Sequence, residues 1–304
     1  MSADAIVIVN AGSGAGNDAA LLDRLAQLLA AAGVAAEIVR AEGGALAGAV
    51  AAAVAKRPRV VVAGGGDGTV STVAAALVGS EIALGVLPLG TLNHFAKDLG
   101  IPLDLADAVA VLARGRIGRV DVGEVNGRIF VNNSSLGLYP DIVRDRERQQ
   151  TRLGRGKWPA LLWASLAALR RYSFLTVSLQ VDGKEALRRT PFVFIGNNEY
   201  LMEGFAIGER AGLTDGRLSL YVAQRPGRWR LVLLALRALF GRLRQARDFD
   251  AMLATEIVIR NRRPQLRVAT DGEVTAMAPP LNYRVRAASL LVMLPGESTA
   301  PPAP

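Results

Sequence analysis

The residues best suited to chemistry form one short run, Gly64, Gly65, Gly66, Asp67, Gly68 and Thr69, directly behind the valines Val60, Val61 and Val62. The valines predict a short buried strand, the glycines a tight turn, and residues 70–78 a helix. In a strand, loop and helix of this kind, backbone N–H groups approach an anion closely. The helix N-terminus favours negative charge, so phosphate is the natural ligand. No lysine follows the glycines, which excludes the P-loop pattern. Asp67 stands there instead, and a carboxylate beside phosphate calls for an intervening Mg²⁺. The plain alternative is a glycine turn with no ligand, against which a single Asp among glycines has little packing purpose.

The elements that must position this run begin with a strand at 5–9 that ends in Asn10, Gly12, Ser13, Gly14 and Gly16, followed by an Ala/Leu-rich helix over 18–32. Gly12, Gly14 and Asn17 fit a dinucleotide fingerprint poorly, so Asn10 and Ser13 are read either as a second phosphate or ribose contact or as a plain turn. A helix over 48–55, a strand over 60–63 and a strand over 82–87 complete an alternation that implies a doubly wound parallel sheet. Loops after successive strand C-ends then converge on one crevice. The next such loop carries Pro88, Gly90, Thr91 and Asn93, whose hydroxyl and amide suit helix capping or ligand binding.

From residue 119 the pattern changes to antiparallel β. Segments 119–125 and 128–132 read as a hairpin around Asn126-Gly127, and strands follow at 175–181, 190–196, 217–222, 255–260, 265–269 and 282–285. The expected division is an α/β domain over 1–120, to which 286–296 returns, a β domain over 121–285, and a disordered Pro/Ala tail over 297–304.

Composition limits the rest. With 304 residues, 51% of them hydrophobic, the chain can build two sizeable cores. It has no cysteine, hence no disulfide framework, thiol nucleophile or zinc-thiolate site. The longest apolar runs, 159–169 and 231–236, fall far below the roughly 20 residues that span a bilayer, and no secretory leader is read at the N-terminus. A cytoplasmic location is the expectation. The formal net charge of +9 points to anionic partners, while 5% aromatics argue against base-stacking platforms and so against a nucleic-acid binder. Basic residues concentrate in 144–171 and in Arg225 to Arg247. In the latter, Trp229, Leu233, Leu236 and Phe240 form a helical stripe flanked by Arg230, Arg237 and Arg244. This stripe either packs on the β domain or lies peripherally on an anionic membrane surface.

Gly65 to Thr69, then Pro88 to Asn93 with His94, Phe95 and Ala96, then Asp121 to Gly127 with Phe130 to Asn132, and finally Thr270 to Glu273 together resemble the diacylglycerol kinase catalytic-domain family, which includes sphingosine, ceramide and bacterial lipid kinases. The motifs stand in family order over nearly the whole chain. The resemblance implies an ATP- and Mg²⁺-dependent lipid kinase with an N-terminal α/β nucleotide domain, a C-terminal antiparallel β-sandwich and an active site in the cleft between. By position it implies Asp67 and Asp121 in a water-mediated Mg²⁺ network. Thr69, Thr91 and Asn93 would line the nucleotide site, beside the backbone of Gly65, Gly66 and Gly68. It makes Glu273 the base that takes the lipid hydroxyl proton, with Asp271 orienting Glu273 or the metal, and sets Asp215 where bacterial relatives hold a structural Mg²⁺. The family usually has Asp where this chain has His94, its only histidine. His94 is read as a structural residue, as a donor to phosphate or water, or as a sign that the metal is arranged differently, with Asp98 one turn on. Two alternatives stay beside the lipid kinase: an NAD kinase-like phosphotransferase and a non-catalytic nucleotide or lipid sensor. The acceptor, of diacylglycerol or sphingoid/ceramide type, is not legible, and a homodimer is left open.

Overall fold

The computed structural model describes residues 4–12, 19–137, 175–201, 209–210, 212–223 and 249–296. The basic amphipathic helix expected at Arg225 to Arg247, the basic segment 144–171, Ser13 and the tail 297–304 lie outside the described residues. The chain forms two compact units, Met1–Val122 with Ala287–Pro304, and Gly123–Arg286.

The first unit runs β1 (Ala5–Asn10), α1 (Ala19–Ala31), β2 (Ala36–Ala41), α2 (Ala45–Ala55), β3 (Val60–Gly65), α3 (Asp67–Leu77), β4 (Ala83–Pro88), α4 (His94–Asp98) and α5 (Leu105–Arg114). Strands pair in parallel in the order β2-β1-β3-β4. Every residue of β3 and β4 is buried, as expected for strands covered on both faces. From β1 the chain steps outward to β2, then returns to the other side of β1 for β3. The direction reverses between β1 and β3, and this is the switch point at which open α/β sheets bind ligands beyond the strand C-ends. Asn10 ends β1 and Gly65 ends β3, so both flank it.

Helix α3 starts at Asp67, three residues earlier than the composition of 70–78 suggests. Gly66 is its extended N-cap (φ −89°, ψ −174°), and Asp67 belongs to the first turn, where a carboxylate complements the helix dipole. Asp104 caps α5 as its sequence position implies, accepting from the N–H groups of Ala106 and Asp107 (2.8 and 3.2 Å).

The β5 strand (Arg116–Val125) leads from the first unit into the second, and the last strand leads back. The second unit continues with β6 (Arg128–Phe130), β7 (Asn133–Gly137), β8 (Leu175–Val181), β9 (Lys184–Thr190), β10 (Phe192–Asn197), β11 (Tyr200–Leu201), β12 (Glu209–Arg210), β13 (Leu218–Ala223), β14 (Phe249–Ala254), β15 (Glu256–Arg260), β16 (Leu266–Thr270), β17 (Glu273–Met277) and β18 (Leu281–Leu294). One antiparallel sheet has the order β14-β13-β10-β7-β16-β17, and in the other β18, β15, β8 and β9 pair in turn. Between them lies one apolar core holding Leu136, Val193 and Val268 of the first sheet with Leu179, Ile257 and Tyr283 of the second.

Several strands of this unit, among them β7, β9, β14 and β17, are not apparent from composition. The β9 strand carries four charged residues in seven and so lacks the apolar alternation that marks a half-buried strand. The strand expected at 282–285 and the returning segment expected over 286–296 belong to one 14-residue strand, β18, with left-handed backbone at Ala288 (φ +47°). Its return end lies beside β4, Val292 opposite Leu84, and Gly79 N–H bonds Ser289 O (2.8 Å).

Candidate active site

In the first unit the loops after β3 and β4 meet backbone to backbone. A Cβ added to Gly90 would stand 2.3 Å from Gly66 Cα, so position 90 has no room for a side chain, whereas a Cβ on Gly66 would lie 3.4 Å from Gly90 Cα, an ordinary contact. Leu89 N–H bonds Gly65 O across the same junction (3.2 Å). Gly65 in turn lies against Thr69, whose Oγ1 would be 2.4 Å from a Cβ there. Thr69 is buried, and its hydroxyl accepts from Asn10 Nδ2 (3.0 Å), while Asn10 Oδ1 accepts from Gly12 N–H (3.0 Å). Asn10 and Thr69, expected as ligand contacts, therefore brace the ends of β1 and α3 against each other.

Asp67 is half-buried, and its Oδ1 accepts from Phe95 N–H of α4 (3.2 Å). The first bonds of α3 run from Thr69 and Val70 N–H to Gly66 O (3.0 and 3.1 Å), so the N–H groups of Asp67 and Gly68 precede any intrahelical partner. Gly68 is exposed, and nothing lies within 4 Å of a Cβ built on it.

Asn93 is neither a side-chain cap of α4 nor a free amide. It adopts left-handed backbone (φ +51°), and its side chain folds back on its own loop: Nδ2 donates to Pro88 O and Gly90 O (3.3 and 2.8 Å), and Oδ1 accepts from Gly90 N–H (3.1 Å). This ring of bonds shapes the turn that presents Thr91, Leu92 and His94, all exposed. His94 is the first residue of α4, on the solvent side of the loop that Asp67 holds.

Asp121 is placed differently from Asp67. It lies in the interior of β5, 2% exposed, with Oδ1 accepting from Ala288 N–H (2.8 Å), and so holds the left-handed residue of β18.

The second unit has its own polar centre, at the segment 131–133. Asp271 and Gly272 form the two-residue turn of the β16–β17 hairpin, both with positive φ (48° and 86°), as a type I′ turn requires. The Asp271 carboxylate accepts three backbone N–H groups, from Val131, Asn132 and Asn133 (2.8, 2.8 and 3.0 Å), and Asp271 N–H bonds Asn133 O (2.9 Å). Arg210 donates to Val131 O and Asn132 Oδ1 (2.7 and 3.1 Å), and Asn197 Nδ2 also reaches Val131 O (3.0 Å). By sequence Asp271 is expected to orient Glu273 or a metal; its carboxylate here binds backbone, because residues 131 and 132, between β6 and β7, need an acceptor for their N–H groups.

Glu273 opens β17 instead of lying in a loop between strands. Its side chain is 72% exposed and pairs with Arg128 Nη2 (2.7 Å). Asp215 is exposed in the loop before β13, and among the described residues no three His, Cys, Asp or Glu side chains gather as a metal site.

Sequence reasoning passed over Glu124, whose side chain is 9% exposed and bonded by Arg284 (2.8 and 3.0 Å) and Arg286 (3.4 Å). A carboxylate that far from water needs such partners. The signal available was the pair of arginines alternating on β18. Tyr283 was missed as well. Its buried hydroxyl pairs with Ser134 Oγ (3.1 Å), and burial drives its phenol pKa up, a shift the Ser134 bond opposes.

Residues 4–125 match the family described as diacylglycerol kinase catalytic domain, and residues 141–294 the one described as YegS C-terminal NAD kinase beta sandwich-like domain. A relative from Pseudomonas aeruginosa named "Probable lipid kinase YegS-like" is 31% identical over 74% of this chain and 74% of its own. A Bacillus subtilis protein named diacylglycerol kinase is 27% identical over 72% of this chain and 73% of its own. A Klebsiella pneumoniae relative, also named "Probable lipid kinase YegS-like", is 46% identical over 31% of this chain, a match that spans only 33% of that protein. In fold the chain is similar to the crystal structure of a diacylglycerol kinase from Bacillus anthracis, with a TM-score of 0.70 at 22% identity over 95% of this chain and 96% of that one.

Two substitutions test the two centres. Gly90→Ala is expected to cost about 1–3 kcal/mol, because backbone at Gly66 cannot yield as a flexible side chain does. Denaturant unfolding reads this loss, and an unchanged midpoint would show that the two loops are not in contact. Asp271→Ala strands three backbone donors, and a loss of about 3 kcal/mol is expected by the same measurement.

Proposed function

The chain belongs to the diacylglycerol kinase catalytic-domain family, and on that premise we propose that it is a lipid kinase that moves the γ-phosphate of ATP to a lipid hydroxyl with Mg²⁺. The observation that carries the reading is the pair of interlocked glycine loops after β3 and β4, the first of them at the sheet's switch point, with the unbonded N–H end of α3 and a carboxylate in its first turn. Phosphate oxygens are recognised by N–H groups at such a helix start. Mg²⁺ with one or two carboxylates, waters and substrate phosphates needs no cage of protein ligands, and the residues fit it in that form. Asp67 is the carboxylate that would hold it. Asp121, with one oxygen committed to Ala288, would act through water. Bound there, the ion would neutralise charge on the phosphates as transfer proceeds.

In this reading Gly65 and Gly66 bring backbone to the nucleotide, Gly68 leaves the phosphates room, and Asn10, Thr69 and Asn93 fix the loops. Thr91 and His94, exposed on the Asn93 turn, are the side chains free to contact the nucleotide. Glu273 serves as the general base toward the lipid hydroxyl, with Arg128 orienting its carboxylate. The acceptor is proposed to be of the diacylglycerol or sphingoid/ceramide type, and the net charge of +9 favours work at an anionic membrane surface. Among the described residues no helix is long and apolar enough to cross a membrane.

The test is transfer of labelled γ-phosphate from ATP, with Mg²⁺, to a panel of lipids in mixed micelles, beside NAD and a control without lipid. Label on a lipid names the acceptor. Label on NAD alone moves the chain to an NAD kinase reading, and ATP binding with no transfer leaves a sensor.

Two variants probe the assigned roles. Gly68→Ala places a methyl in open space, so the unfolding midpoint should hold while ATP affinity falls about tenfold or more; retained affinity would take the phosphates away from this loop. Glu273→Gln should lower kcat by at least about 10²-fold with ATP affinity nearly unchanged. Wild-type turnover in that variant would reject Glu273 as the base.

A further inference from the structure

Among the described strands, β9 ends one sheet of the second unit and β14 ends the other. The two edges lie on the same side of the sandwich, since Arg188 of β9 reaches Asp250 of β14 (3.7 Å). Pairing fixes which residues face inward, because side chains directly opposite one another, or two apart on one strand, share a face. Lys184, Ala186 and Arg188 stand opposite Val181, Leu179 and Val177 of β8, which form or pack against the core. Met252 of β14 faces inward too, opposite the core residue Leu220.

The inner face of β9 thus carries two cations and one methyl where a sandwich strand ordinarily supplies large apolar side chains. The core is left unfilled at this side. A cavity of about 400 Å³ lies there, walled by Leu179, Val181, Ala186 and Met252, with Lys184 and Arg188 beside them. Inward charge is a known way to blunt an edge strand. Blunting requires neither a methyl between the two cations nor an apolar cavity beneath it.

The charged groups around the cavity differ in what they are free to do. Asp182 Oδ1 accepts from Thr255 N–H, Thr255 Oγ1 and Glu256 N–H (3.1, 3.2 and 3.2 Å). Glu185, on the outer face, accepts from Ser178 Oγ and lies 3.9 Å from Arg260 Nη1. Arg188 is paired with Asp250, which leaves Lys184, exposed and without an ion-pair partner among the described residues. Ligand cavities of this volume are mostly apolar with a few placed polar groups that select the ligand's head.

We propose that this cavity binds a single-chain amphiphile with an anionic head, a fatty carboxylate or an alkyl phosphate monoester, the head on Lys184 and the tail between β9 and β14. The occupant is a different molecule from the lipid that accepts phosphate. Glu273 opens β17, and β14 and β17 are opposite edges of the six-stranded sheet, five strand spacings or roughly 24 Å apart. A head held at Lys184 is therefore out of reach of the base proposed above, and the cavity is a second lipid site.

Isothermal titration of the full chain with decanoate, decyl phosphate and decylamine, each below its micellar concentration, tests this. No ATP is present, so the outcome is independent of the kinase reading. Decanoate or decyl phosphate should bind saturably, the tighter of the two naming the head, and decylamine about threefold or more weaker. Ala186→Leu fills the cavity from β9 and should weaken the anionic amphiphile about tenfold or more, with an unfolding midpoint that holds or rises. Lys184→Gln, at an exposed position that leaves the core untouched, should abolish the preference over decylamine. Absence of saturable binding by both anionic amphiphiles overturns the proposal. So does decylamine binding as tightly as they do, affinity unchanged in a folded Ala186→Leu variant, or a head preference that survives Lys184→Gln.

Discussion

The contact between Gly66 and Gly90 is the constraint on which the rest of the first unit's site depends. Strands β3 and β4 are parallel neighbours, so their C-ends, Gly65 and Pro88, arrive side by side at the spacing of a sheet. Two loops leaving so close together either diverge or pack backbone on backbone, and the second requires that residue 90 carry no Cβ at the point of contact. Glycine at position 90 satisfies it. The start of α3 and the turn around Asn93 are then fixed relative to one another, and the Asp67 carboxylate can bond Phe95 N–H across the gap. Asn10 and Thr69 add a third strand end to the same junction.

The second unit solves a related problem with charge. Residues 131 and 132 form no ladder between β6 and β7, so their N–H groups lack strand partners. One carboxylate, Asp271, takes three successive N–H groups at once, while Arg210 and Asn197 serve a carbonyl of the same segment. Buried backbone without such partners would cost about as much per group as a lost hydrogen bond. The turn that carries Asp271 also sets where β17 begins, and with it the position of Glu273. The place of Glu273 thus depends on an acid two residues earlier whose carboxylate binds backbone.

The two units share a pattern. Residues that look chemical in the sequence divide into those spent on backbone, such as Asn93 and Asp271, and those left facing outward, such as Gly68, His94 and Glu273. The first group fixes the loops and the second is available to a ligand. Preorganisation of this kind matters for phosphoryl transfer, in which positioning and electrostatics supply most of the catalysis.

By itself the sequence determined the fold class, because the strand and helix periods of residues 5–114 and the turn residues after 119 are local signals. It also marked the glycine loops, since a run such as Gly64 to Gly66 with Asp67 has few structural uses. It determined the family through motifs spread over nearly the whole chain. Tertiary structure alone decided how those residues are used. The start of α3 at Asp67 follows from the Gly66 cap and the loop packing, which no propensity encodes. That Asp271 binds 131–133 and Asp121 binds Ala288 are contacts between residues about 140 and 167 apart, invisible to any local window. The charged strand β9 was hidden for the same reason: it gains its conformation from pairing with β8, and a strand at a solvent edge needs no apolar alternation of its own.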